Sequence, residues 1–76
     1  MNKNKLIAVM YEHGDTQASL AKSIGISLQT LNSKINEAHG AQFTQGEIRK
    51  IKERYSLKGS DVDLIFFTSN VSLEDT

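Results

Sequence analysis

Residues 16–35, TQASLAKSIGISLQTLNSKI, hold two short apolar rhythms separated by a single glycine. Leu20, Ala21 and Ile24 form the first stripe; Leu31 and Ile35, with Ala38 beyond, form the second. Both stripes have the three-and-four spacing of a helix that buries one face. Thr16 and Ser27 precede them as N-caps, because a hydroxyl there accepts from a backbone amide one turn into the helix. Gly25 follows the first stripe at the position where a left-handed residue closes a helix, and glycine adopts that conformation without steric cost. The second helix is expected to close at His39-Gly40.

Two helices can cross tightly over a three-residue turn if three conditions are met. A small side chain must sit where the backbones approach, and Ala21 does. A residue able to take positive φ must start the turn, and Gly25 does. An apolar residue of the second helix must point back onto the first, as Leu31 does with help from Ile26 and Ile35. The spacing of these three residues fits a helix-turn-helix unit whose second helix is free to enter a groove.

Working outward, Leu6, Ile7, Met10 and Tyr11 lie at helical spacing in residues 3–12, and Gly14-Asp15 ends that helix. Downstream, Thr44-Gln45-Gly46-Glu47 reads as a capping box, with Phe43 positioned to staple onto Ile48. Ile48, Ile51 and Tyr55 give this fourth helix an inner face, and Ser60-Asp61-Val62-Asp63 caps a final short helix ending near Phe67. The expected fold is all-α: a compact bundle of five helices over residues 1–67, followed by an acidic tail over 68–76 that is flexible or contacts a partner.

The totals agree with one small domain. The chain has 76 residues and no cysteine, so neither disulfides nor a cysteine–zinc site brace it. Its longest apolar run, Leu64-Ile65-Phe66-Phe67, is far too short to cross a bilayer, and the basic start is not followed by a signal-peptide apolar region. A soluble, cytoplasmic protein is expected. Zero net charge conceals an asymmetry: residues 1–58 carry nine bases and five acids, and residues 59–76 carry four acids and no base. A mildly basic body of this kind is compatible with a polyanionic partner.

The chain resembles a known family at this point. TQASLAKSIGIS followed by LQTLNSKI is similar to the helix-turn-helix of phage repressor and Cro proteins, nearest to short Cro-like regulators of Gram-positive temperate phages. Phe43-Thr44, Glu47-Ile48 and Ile65-Phe66-Phe67 match later pieces of that pattern in the same order, so the resemblance spans roughly residues 5–67. It implies a DNA-binding domain for a bacterial host cell, without a cofactor or metal.

Laid out at about 100° per residue with Leu31 at zero, Ile35 and Ala38 fall on the buried side of the third helix, while Gln29, Ser33 and Asn36 point away. Thr30 and Asn32 flank them. Small hydroxyl and amide side chains suit the reading of base edges, since an amide can bond adenine N6 and N7 together. The alternative is an ordinary solvated helix face. Leu28 lies at the border of the buried stripe: it packs against the first turn, meets a thymine methyl, or meets a protein surface. The resemblance implies phosphate contact by Gln17 at the start of helix two. Thr44 and Lys34 are further candidates, set against plain capping and a solvated lysine. Such contacts position a protein on DNA without specifying sequence.

The basic cluster Arg49, Lys50, Lys52, Arg54 and Lys58 reads as a solvated outer face balanced by Glu47 and Glu53. His13 and His39 have no partners at metal-ligand spacing, no nucleophile or carboxylate pair stands out, and an enzyme is not expected. Two functions share this fold. One is a Cro-like regulator that binds a double-stranded operator as a homodimer, with Phe66, Phe67 and Val71 at the interface, the two phenylalanines filling the core as the alternative. The other is an antirepressor, or modulator of repression, that grips a partner phage repressor; Leu28 and the zero net charge favour it.

Overall fold

The computed structural model describes residues 1–67, whose regular structure is all helical, with no strand among them. Helices α1 (Lys3–Glu12), α2 (Gln17–Ile24), α3 (Leu28–Ile35), α4 (Gln45–Arg54) and α5 (Gly59–Val62) follow in order. A 3₁₀ turn, Ala38–Gly40, lies between α3 and α4, and α5 continues into a wider π turn, Asp63–Phe67. Val71 and the rest of the expected tail lie outside the described residues.

Helices α1 to α4 and the π turn each contribute one fully buried side chain to a single core: Leu6, Leu20, Leu31, Ile51 and Ile65. Removing a leucine or isoleucine of this kind from water stabilises the fold by roughly 1.5–3 kcal/mol, so the five together draw α1 to α4 and the π turn into one unit. Among the described residues, no buried side-chain nitrogen or oxygen lacks a hydrogen-bond partner. No helix among them is long and apolar enough to cross a membrane.

The expected caps form. The Thr16 hydroxyl accepts from the Ser19 amide at 3.1 Å, and the Ser27 hydroxyl accepts from the Thr30 amide at 3.1 Å. Gly25 takes φ 83° and ψ 27°. Its amide donates to the Lys22 carbonyl, and the Ile26 amide donates to the Ala21 carbonyl. This pair of bonds is a Schellman closure, which satisfies carbonyls that the end of α2 would otherwise leave open. The same two-bond pattern closes α1 over Gly14 and α4 over Ser56, the latter with φ 53°. Leu31 and Ile35 then bury against α2, so the opposite side of α3 is left outward.

Three sequence expectations change. The buried arc of α1 is Leu6, Val9 and Met10, whereas Ile7 is half-exposed and Tyr11 is 85% exposed. At about 100° per residue, Val9 lies closer to Leu6 than Tyr11 does, so apolar spacing alone chose the wrong flank. Helix α3 ends at Ile35 instead of running to His39-Gly40: Asn36 caps it, Glu37 turns left-handed at φ 53°, and His39 repeats that turn at φ 55°. Ala38 therefore sits half-buried in the 3₁₀ turn and not on the helix. Finally, α5 begins at Gly59, one residue before the expected cap, and Asp61 accepts from the Lys58 amide at 3.1 Å.

Candidate nucleic-acid interface

Because α3 spends Leu31 and Ile35 on the core, the side chains it presents outward are uncharged. Leu28, Gln29, Asn32, Ser33 and Asn36, joined by Ala38 from the following turn, line a shallow groove. Gln29, Asn32 and Asn36 are exposed, Ser33 is half-exposed, and Leu28 is 48% exposed. Leu28 thus neither packs fully onto the first turn nor leaves it. Thr30 is exposed beside the groove, its hydroxyl accepting from the Ser27 hydroxyl at 2.9 Å.

The amides differ in how far they are already occupied. Asn36 Nδ2 donates to the Asn32 side-chain oxygen at 2.6 Å and to the Asn32 carbonyl at 2.9 Å. Asn36 Oδ1 accepts from Lys3 Nζ at 3.1 Å, a contact from α1 that sequence spacing gives no hint of. Asn32 therefore keeps its Nδ2 free and has its Oδ1 half-engaged. The Gln29 side chain makes no hydrogen bond among the described residues, so both ends of its amide are available.

The residues expected at phosphates behave differently from one another. Gln17 is the half-buried first residue of α2. Thr44 is exposed at the N-cap of α4, where its hydroxyl accepts from the Glu47 amide at 3.1 Å. Lys34 points the other way from the open face: its ammonium donates to both Glu47 oxygens, at 2.6 and 2.8 Å, with the two side chains 14% and 13% exposed. Burial pushes the Glu47 carboxyl up, but the Lys34 bonds and the Thr44 amide outweigh it and hold the group below its ordinary value. The carboxylate is ionised at neutral pH, and the charge of Lys34 is matched within the protein.

The cations left over lie elsewhere. Lys22, Arg49, Lys50, Lys52 and Lys58 are exposed and form no ion pair among the described residues. Arg54, by contrast, is committed to the α1–α2 corner. Its Nε and Nη2 donate to Asp15 at 2.7 and 3.0 Å, and the Tyr55 hydroxyl donates to the same carboxylate at 2.5 Å.

Phe66 and Phe67 belong to a second groove, separate from the α3 face. Phe66 is half-buried and meets the Phe43 ring edge-on at 5.6 Å, while Phe67 is 57% exposed. Met1, Phe43 and Ile48 complete the apolar part of this groove, and Lys34 and Glu37 stand at its edge. Phe66 thus fills the core edge, and Phe67 is left exposed.

Comparison of the chain with protein-family models, curated proteins and solved structures found no match to any of them.

Proposed function

We propose that the chain is a sequence-specific DNA-binding regulator of the Cro type, acting in a phage lysis–lysogeny switch within a bacterial cytoplasm. In this reading α2, the Gly25 turn and α3 are a helix-turn-helix, and residues 1–67 are the DNA-binding domain. One observation carries the reading: α3 buries Leu31 and Ile35 while holding an uncharged amide and hydroxyl surface outward. Gln29 is the principal base reader, with Asn32, Ser33 and Thr30 beside it. Gln17 and Thr44 contact phosphates through the N-terminal ends of their helices. Lys34 is left out of that set because Glu47 holds it. The function is binding, with no catalytic step.

One short helix reads few base pairs, so useful specificity calls for two copies about a two-fold axis. Phe67 is the residue through which a homodimer forms.

The half-exposed Leu28 favours a second reading, in which α3 docks onto a partner phage repressor and alters that protein's DNA binding. Gel shifts across the phage operator region, repeated over a salt series, separate the two. For about four neutralised phosphates, a fourfold rise in salt lowers affinity by about a hundredfold. Tight association with the repressor and no operator binding would reverse the assignment. Sedimentation of the parent and Phe67→Asp chains checks the dimer, which the substitution dissolves.

A further inference from the structure

The outward surface of α3 contains amides, hydroxyls and one leucine, and α3 itself supplies it no free cation. This restricts which bases it can read. Guanine is recognised in the major groove chiefly by arginine or lysine bonding O6 and N7. Lys34, the sole cation of α3, is turned onto Glu47 at 2.6 and 2.8 Å. Lys3 is the one other cation bonded to this face, and its ammonium is held by Asn36, beyond the end of α3 remote from Leu28.

What remains at the leading end is a neighbouring pair. Gln29 offers a carbonyl oxygen and an amino group, neither engaged among the described residues, which match the N6 donor and N7 acceptor of adenine. Leu28 offers a branched apolar end, 48% exposed, which matches the 5-methyl group of thymine. Asn36 is engaged at both ends of its amide by Asn32 and Lys3, and the Asn32 oxygen already accepts from Asn36, so Gln29 holds the one amide of this face with neither end engaged among the described residues.

We propose that α3 selects an A·T-rich half-site, in which Gln29 reads an adenine and Leu28 seats against the methyl group of a thymine in a neighbouring pair. The proposal rests on the DNA-binding reading above and makes Leu28, the residue that otherwise favours a protein partner, a determinant of sequence.

The test is selection of duplexes from a fully random pool by the full chain, followed by replacement of the selected thymines with deoxyuridine. The selected core is A·T-rich, and loss of the methyl group lowers affinity about fourfold, the worth of one buried methyl. Leu28→Ala binds the thymine and uracil duplexes equally, and Gln29→Ala loses preference at the adenine. Selection of a G·C core, or a uracil penalty undiminished in Leu28→Ala, overturns the proposal while DNA reading stands. A pool from which no sequence is enriched overturns both.

Discussion

The Lys34 ammonium touches both oxygens of Glu47, at 2.6 and 2.8 Å, and one of those oxygens also accepts the Thr44 amide at 2.9 Å. A single carboxylate thereby completes the cap of α4 and fastens α3 to it. Both partners are largely removed from water, so breaking the pair costs more than a surface ion pair would. Lys34→Met leaves Glu47 with the Thr44 amide and no counter-charge. Stability at neutral pH falls by about 2–3 kcal/mol in urea denaturation. The parent carboxyl is held below its ordinary value, so its contribution is present above the unfolded glutamate pKa and is lost as pH falls through the folded one. In the variant only the Thr44 contacts oppose burial, so the carboxyl rises above its value in the parent and mild acidification narrows the gap between the two proteins.

Three helices share one closure but differ in the residue at its left-handed position: Gly14, Gly25 and Ser56. An added Cβ at Gly25 would meet no atom within 4 Å, so the cost of Gly25→Ala is conformational, about 1–2 kcal/mol. Ser56→Gly relieves the corresponding strain and raises stability by up to about 1 kcal/mol, less the entropy glycine returns to the unfolded chain. Thermal melts of the two variants should shift in opposite directions.

Asp15 locks the corner before α2 to the end of α4. The Arg54 guanidinium holds its carboxyl well below the usual carboxylate range, against the opposing effect of burial, with the Tyr55 hydroxyl and Thr16 amide adding to the pull. A depressed carboxyl contributes stability above its unfolded value, about 3.9, and loses it as pH falls toward the folded value. Asp15→Asn therefore costs about 1–2 kcal/mol at neutral pH, discounted for the partly exposed arginine. The variant also shows a flatter decline below about pH 4, where the parent's advantage disappears. Denaturation midpoints over a pH series give both readouts.

Gln29 and Asn36 carry the same functional group in different circumstances, one open and one engaged with Asn32 and Lys3. Gln29→Ala should weaken binding to a specific duplex by about tenfold to a hundredfold, with little change on nonspecific DNA. Asn36→Ala should lower both together and reduce thermal stability slightly. Equal losses at Gln29 on both duplexes would remove it as a base reader.

The parts of the fold legible in the sequence are those that local chemistry decides. Thr16, Gly25, Ser27 and the Thr44–Glu47 box each act within four residues, so spacing was sufficient to find them. The end of α3 escaped because Glu37 and His39 adopt left-handed conformations that nothing in a glutamate or histidine announces. Tyr11 and Val9 were exchanged because an apolar side chain near the edge of an arc can lie on either side of it. At the candidate site, the outward set of α3 was readable from the helical period alone. Which of its amides are free was not, since Lys3 reaches Asn36 across 33 positions and Glu47 claims Lys34 across 13.

The Asn2 amide donates to the Ile65 carbonyl at 2.6 Å, and Met1 shares a groove with Phe66 and Phe67. An affinity tag or fluorescent fusion placed ahead of Met1 would consequently crowd the ring assigned to self-association. Labels are better carried by exposed Ser60 on α5, introduced as a single cysteine in a chain that has none of its own.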